Sequence, residues 1–277
     1  MQGVFQAAGS VTRGLVTLPY PRFETRATIA LRPSDSSVEV TPRWKVKAQR
    51  AARLALDAVG LPQVGGRLDV ADAIPVAHGF GSSTADVVAT IRAVCSAADS
   101  SLDAEDMARL AVESETASDP LMFDHAVLFA QRDGVVLEDF AAHLPSLEVL
   151  GFATGAREVG VPTLALPPAQ YNAEEVDEFE QLRRQLREAI AGADVNGVGR
   201  VATASARINQ RHLPVDDFEQ LARLADRVGA AGLQVAHSGD IAGLLFEPSA
   251  SDVEGRVAEA QRLLAASPAK TWRFRIS

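Results

Sequence analysis

The chain has a single cysteine, Cys95, among its 277 residues, so no internal disulfide can brace it. The place of Cys95 in an apolar helical stretch predicts a buried thiol. No run of 18 or more apolar residues occurs, and the N-terminus lacks the charged-then-apolar pattern of a signal peptide. Both absences predict a cytoplasmic protein with no membrane partner. Basic blocks are missing too: the formal net charge is −9, which argues against a nucleic-acid partner. Lysine is scarce, with only Lys45, Lys47 and Lys270, and arginine supplies nearly all the positive charge. There is no internal repeat and no low-complexity linker. What remains is 47% hydrophobic and 23% charged, ordinary for a globular chain long enough to hold two packed lobes.

One stretch organises the rest: Pro75-Val76-Ala77-His78-Gly79-Phe80-Gly81-Ser82-Ser83-Thr84-Ala85-Asp86. Residues 67–74, with Leu68, Val70 and Ile74, lead in as a strand, and residues 87–94 lead out as a helix. Gly79 and Gly81 have no Cβ, so they can take φ > 0 and let an anion approach the main chain. The first N–H groups of the new helix lack internal partners and carry the positive end of the macrodipole. Together these make a seat for phosphate, with Gly79, Gly81, Ser82, Ser83 and Thr84 as donors. The ordinary alternative is a Ser-capped helix after a glycine turn. The stretch has no lysine, so it is not a Walker loop. It also lacks the third spaced glycine of a dinucleotide fingerprint. An acidic chain can still bind a polyphosphate where its pocket is locally positive.

The flanking chain predicts an α+β protein. Two strands surround the turn before Leu15, and residues 23–40, broken at Pro33-Ser34-Asp35, read as an antiparallel pair. Residues 43–59 read as a helix, and Gly65-Gly66 as a turn into the next strand. A second helix, with a cap and acidic first turn in residues 99–105, ends near Glu115. A hairpin follows (127–129 and 135–137), then a strand from Leu147 that crosses into the second lobe. There, helices at 173–191, 201–210, 217–228 and 253–264 mix with strands at 232–246 and 271–276.

The central stretch resembles the Pro-x-x-x-Gly-x-Gly-Ser-Ser-Ala/Thr-Ala motif of the GHMP kinases, the superfamily of galactokinase, homoserine kinase and mevalonate kinase. Its longer form from Gly79 to Asp86 is most similar to the L-threonine kinase branch associated with cobalamin synthesis. Many members carry another glycine where this chain has Ala77, and threonine kinases tend to have lysine where His78 stands. Gln2-Gly3 matches the end of a first family motif whose earlier part would lie before Met1. The resemblance implies an N-terminal ribosomal-protein-S5-like ATP-binding lobe over residues 1–147. It also implies a C-terminal ferredoxin-like lobe over residues 148–277.

The resemblance also implies roles. ATP would be held by Gly79, Phe80, Gly81, Ser82, Ser83 and Thr84, and Mg²⁺ by Ser83 and Glu115. Glu115 closes Glu113-Ser114-Glu115, which is similar to a Glu-x-Glu pair of mevalonate kinases; the ordinary alternative is a solvated helix end. Asp119, in a segment like the Pro-Thr-Asp of threonine kinases, would be the catalytic base, and Asp124 is near enough to compete. An Asp-Pro turn is the ordinary reading of Asp119. His237, Ser238 and Gly239 in Ala236-His237-Ser238-Gly239-Asp240 match the glycine-rich third motif, a loop for phosphate or substrate. Ser205, Asn209 and Gln210 also resemble the threonine kinase branch. The expected reaction is ATP-dependent phosphorylation of a small hydroxyl compound, most closely L-threonine. A homodimer is a candidate assembly. The alternatives are a non-catalytic nucleotide- or metabolite-binding regulator of the same family and a kinase for another small alcohol.

Overall fold

The computed structural model describes residues 1–7, 9–72, 74, 80–154, 169–236, 241–265 and 271–276. The predicted phosphate-seat residue Gly79, its neighbour His78, and His237, Ser238 and Gly239 lie outside these residues. In chain order the first elements are β1 (Gln2–Ala7), β2 (Ser10–Leu15), β3 (Thr25–Arg32), β4 (Val38–Thr41), α1 (Val46–Ala58) and β5 (Gly65–Asp72). Then come α2 (Ser82–Ala97), α3 (Ala104–Glu115), β6 (Val127–Ala130) and β7 (Val135–Asp139). The remainder is β8 (Leu147–Ala153), α4 (Ala173–Ala191), α5 (Val195–Asn209), α6 (Phe218–Arg227), β9 (Gly232–Val235), β10 (Ile241–Phe246), α7 (Val253–Leu264) and β11 (Thr271–Ile276). The chain forms two compact units. One comprises Phe23–Val76 and Gly81–Glu138; the other contains Met1–Arg22, Phe80 and Asp139–Ser277.

In the first unit β3, β5 and β4 form a sheet in that order. The sequence predicts β3 and β4 as an antiparallel pair; instead β5 lies between them, antiparallel to β3 and parallel to β4. Gly65 and Gly66 permit this. They begin β5 rather than turn into it, and a Cβ on Gly66 would run into the Ala30 carbonyl of β3, one on Gly65 into the Ser37 carbonyl. Ile29, Leu68, Val70 and Val40 of the sheet bury their side chains against α1, α2 and α3. Helix α1 turns Ala48, Ala51, Ala52 and Ala55 inward, small residues that let α2 pack closely with Val87, Val88, Ile91 and Val94. Helix α3 starts where the Asp103 carboxylate accepts the Asp106 N–H at 2.7 Å. Cys95 is buried, as its apolar surroundings predict, and burial pushes its thiol pKa up.

In the second unit β11, β8, β10 and β9 make a fully antiparallel sheet in that order. Numbered within this sheet the strands run 4-1-3-2 with helices after the first and third, which is the ferredoxin-like arrangement. Leu150, Phe152, Leu233, Leu244 and Phe246 pack against Phe218, Ala222, Ala225, Val257 and Leu264 of the helices. Asn172 and Glu175 close a capping box at the start of α4. Strand β1 rests on α4 and α5, with the Phe5 and Phe179 rings 6.0 Å apart. Ser205 donates to the Gln2 carbonyl at 2.7 Å and accepts its N–H at 3.1 Å; Asn209 donates to the same carbonyl at 3.0 Å. Gln210 accepts the Val215 N–H at 2.7 Å. These three polar residues of the threonine-kinase-like set hold the backbone of their own unit.

Candidate active site

The helix that follows the glycine stretch begins with a left-handed residue. Gly81 is the N-cap of α2 at φ 70°, ψ 25°, and it makes no side-chain cap. Any other residue would be strained there, and a Cβ would sit 3.1 Å from Asp119 Oδ2. The first helical hydrogen bond runs from the Ala85 N–H to the Gly81 carbonyl at 3.0 Å. The N–H groups of Ser82, Ser83 and Thr84 therefore have no acceptor within the helix, at the positive end of its dipole. The ordinary reading, a serine cap, is not what forms. The hydroxyls of Ser83 and Thr84 turn away from the backbone.

They turn to Glu115, the last residue of α3. Ser83 Oγ donates to Glu115 Oε2 at 2.5 Å and Thr84 Oγ1 to Glu115 Oε1 at 2.7 Å. The Glu115 side chain is 1% exposed, so this carboxylate is not a solvated helix end. Thr84 Oγ1 also accepts the backbone N–H of Asp119 at 3.2 Å, which ties the loop after α3 to the first turn of α2. Two segments about 30 residues apart thus converge on one spot. They bring two hydroxyls and two carboxylates to an open helix N-terminus.

Asp119 is partly buried, with its carboxylate beside Gly81. Desolvation, with Glu115 as a second cause, pushes its pKa up to about 6. Asp124 stands apart from this: its side chain is 93% exposed and bonds to the Nδ1 of His125 at 2.7 Å. Phe80 belongs to the other unit. Its ring packs 5.1 Å from Tyr20 and 5.5 Å from Trp272, in the unit that holds β11.

Two lysines that the sequence reading assigns no role belong here. Lys45, at the start of α1, reaches Asp86 in the second turn of α2, Nζ to Oδ2 at 2.5 Å, with only 3% of its side chain exposed. The Thr25 hydroxyl lies 3.4 Å from the other Asp86 oxygen. Lys47 reaches the first turn: its Nζ donates to Ser83 Oγ at 3.0 Å and stands 3.7 Å from Glu115 Oε2. The signal was available in composition. In a chain with 27 Lys and Arg, two of the three lysines lie two positions apart at one helix start.

The oxygens of Ser83 and Glu115 are hard donors of the type Mg²⁺ takes, one carboxylate with phosphate oxygens and water completing the set. Among the described residues no group of three or more His, Cys, Asp or Glu side chains could hold a metal by itself. The free N–H groups of α2 suit an anion. Metal and anion could meet here, each needing the other.

Comparison with known proteins bears on this arrangement. Residues 46–128 match the family model for the GHMP kinases N terminal domain, and that span contains Lys47, Ser83, Thr84, Glu115 and Asp119. An L-threonine kinase from Salmonella typhimurium is 30% identical over 196 residues, 70% of this chain and 65% of that one. The chain spans just under two thirds of the length of the curated relatives it matches. Among solved structures, homoserine kinase from Cytophaga hutchinsonii superposes with a TM-score of 0.69 at 16% identity, over 96% of this chain and 88% of that one. The structure of MDDEF in complex with MVAPP, AMPPCP and magnesium gives 0.64 at 17% identity, over 96% and 87%. At such identities the structures speak for the fold alone. No helix among the described residues is long and apolar enough to cross a membrane.

Proposed function

We propose that this chain, which carries the GHMP kinase N-terminal domain over residues 46–128, is an ATP-dependent kinase of a small hydroxyl compound, and that its acceptor is L-threonine. The observation that carries the reading is the convergence of Ser83, Glu115 and Asp119 on the open N-terminus of α2. Identity to L-threonine kinases supports the acceptor.

Phosphoryl transfer asks for held phosphates, neutralised charge and an aligned hydroxyl. The N–H groups of Ser82, Ser83 and Thr84 hold phosphate oxygens. Ser83 and Glu115 would hold Mg²⁺, which would neutralise charge on the phosphates. Asp119 takes the proton of the acceptor hydroxyl. With its pKa near 6 the carboxylate is ionised at neutral pH yet more basic than an exposed aspartate. The hydroxyl oxygen then bonds to the γ-phosphorus, the bond to the β-phosphate oxygen breaks, and ADP departs.

The test is ADP release with Mg·ATP against a panel of hydroxylated amino acids and simple alcohols, with mass detection of the product. O-phospho-L-threonine as the preferred product is the expected result. A different preferred alcohol would keep the kinase and displace the acceptor. Tight Mg·ATP binding with no phosphorylated product across the panel would make the chain a nucleotide-binding regulator.

A further inference from the structure

We propose that Lys47 is a further catalytic residue of this site, the mobile cation that holds the phosphoryl group while it is transferred. The proposal rests on the kinase reading above. Its basis is the distribution of charge around Ser83. Two carboxylates, Glu115 and Asp119, face the N-terminal turn of α2, and a nucleoside triphosphate brings several more negative charges. One divalent metal does not balance that sum. Among the described residues, the cation in ion-pair range of Glu115 is Lys47, at 3.7 Å. Lys45, two positions earlier, is committed elsewhere, buried against Asp86 with 3% of its side chain exposed. Lys47 keeps 44% of its side chain exposed, so its ammonium is free to leave Ser83 for an incoming ligand.

The residue type supports the same role. Arginine supplies nearly all the positive charge of this chain, yet a lysine stands beside Ser83. A guanidinium offers a rigid planar fork that fixes one geometry; an ammonium on a four-carbon stem is a point charge with three rotatable donors. A phosphoryl group moving from its leaving oxygen to an acceptor changes the direction of its oxygens. Lysine can follow that movement. Glu115 keeps the Ser83 and Thr84 hydroxyls as partners when Lys47 is truncated, so the fold loses little.

Calorimetric titration of the whole chain with Mg·AMPPCP and with Mg·ADP tests this without requiring turnover. For Lys47→Met, loss of one charge-assisted contact should raise the Kd for Mg·AMPPCP about 10- to 100-fold. The Kd for Mg·ADP should change less than about threefold, and the melting temperature should hold. Lys47→Arg should restore most of the affinity for Mg·AMPPCP but leave kcat about 100-fold down, the order for one lost transition-state donor. Unchanged affinity for Mg·AMPPCP in Lys47→Met would overturn the proposal. So would an equal loss for Mg·ADP with a lowered melting temperature, which marks a structural lysine. Should wild-type protein bind Mg·AMPPCP but phosphorylate no acceptor, the kinase reading fails while the affinity ratio still decides whether Lys47 meets the terminal phosphate.

Discussion

Asp119 and Asp124 stand five positions apart in one loop, and the sequence offers either as a base. Their surroundings differ. The Asp119 carboxylate is desolvated beside Gly81, while that of Asp124 is 93% exposed. Asp119→Asn should therefore lower turnover by roughly 100- to 10,000-fold, the range for a positioned general base. Calorimetry should find Mg·ATP affinity almost intact. Asp124→Asn should stay within about threefold of wild type; the reverse ordering in a kinetic assay would place the base at Asp124. In wild type kcat/KM should rise with pH and level off above about 6, where Asp119 has lost its proton. Ser83 was legible in the sequence because it lies in a motif of unusual wording; Glu115 and Asp119, in a Glu pair and an Asp-Pro turn with ordinary readings of their own, were singled out by the family resemblance. Lys45 and Lys47 were not, since lysines at a helix start look like solvated charge until the partner helix is in place.

At the scale of elements, the start of α2 concentrates the constraints. Gly81→Ala should cost about 1–2 kcal/mol for a left-handed non-glycine residue. The added methyl would also crowd Asp119 Oδ2 at 3.1 Å. Urea unfolding should register the first effect, and a fall in kcat beyond what the stability loss explains should register the second. A variant with wild-type stability and turnover would mean that the turn can be built another way. Elements with a clear apolar stripe were legible: α4 spans Ala173–Ala191 as its periodicity predicts, and the last helix and strand also match. Helix α5 begins six residues before its predicted start, since Gly197 and Gly199 lower the helical propensity of its first two turns. The pairing of β3 with β4 was misread for another reason. Adjacent strands usually pair, and only the three-dimensional clearance at Gly65 and Gly66 shows that β5 can enter between them.

For the whole molecule, Asp119 ties stability to pH. Its folded-state pKa of about 6 lies above the 3.8 of an ordinary aspartate, so the folded state binds this proton more tightly than the unfolded one. Stability from this group is full below about pH 4 and declines as pH rises to about 6. Asp119→Asn should remove the decline. The variant should be more stable than wild type at pH 7–8, by up to about 3 kcal/mol, with the two melting curves converging near pH 4. Parallel curves across that range would show that Asp119 is not desolvated. The unit that holds Met1–Arg22 and Asp139–Ser277 carries a further consequence, one of timing. Its first strand is bonded through Gln2 to Ser205 and Asn209, and its last strand, β11, pairs with β8. A ribosome adding ~5–20 residues per second takes on the order of ten seconds or more to reach α5 after releasing β1. Throughout that interval β1, paired on one side with β2, lacks the α4 and α5 surface it rests on, and its outer edge stays open to pairing with other chains. The Phe23–Glu138 unit needs nothing synthesised after it, so it can be complete while β1 still waits.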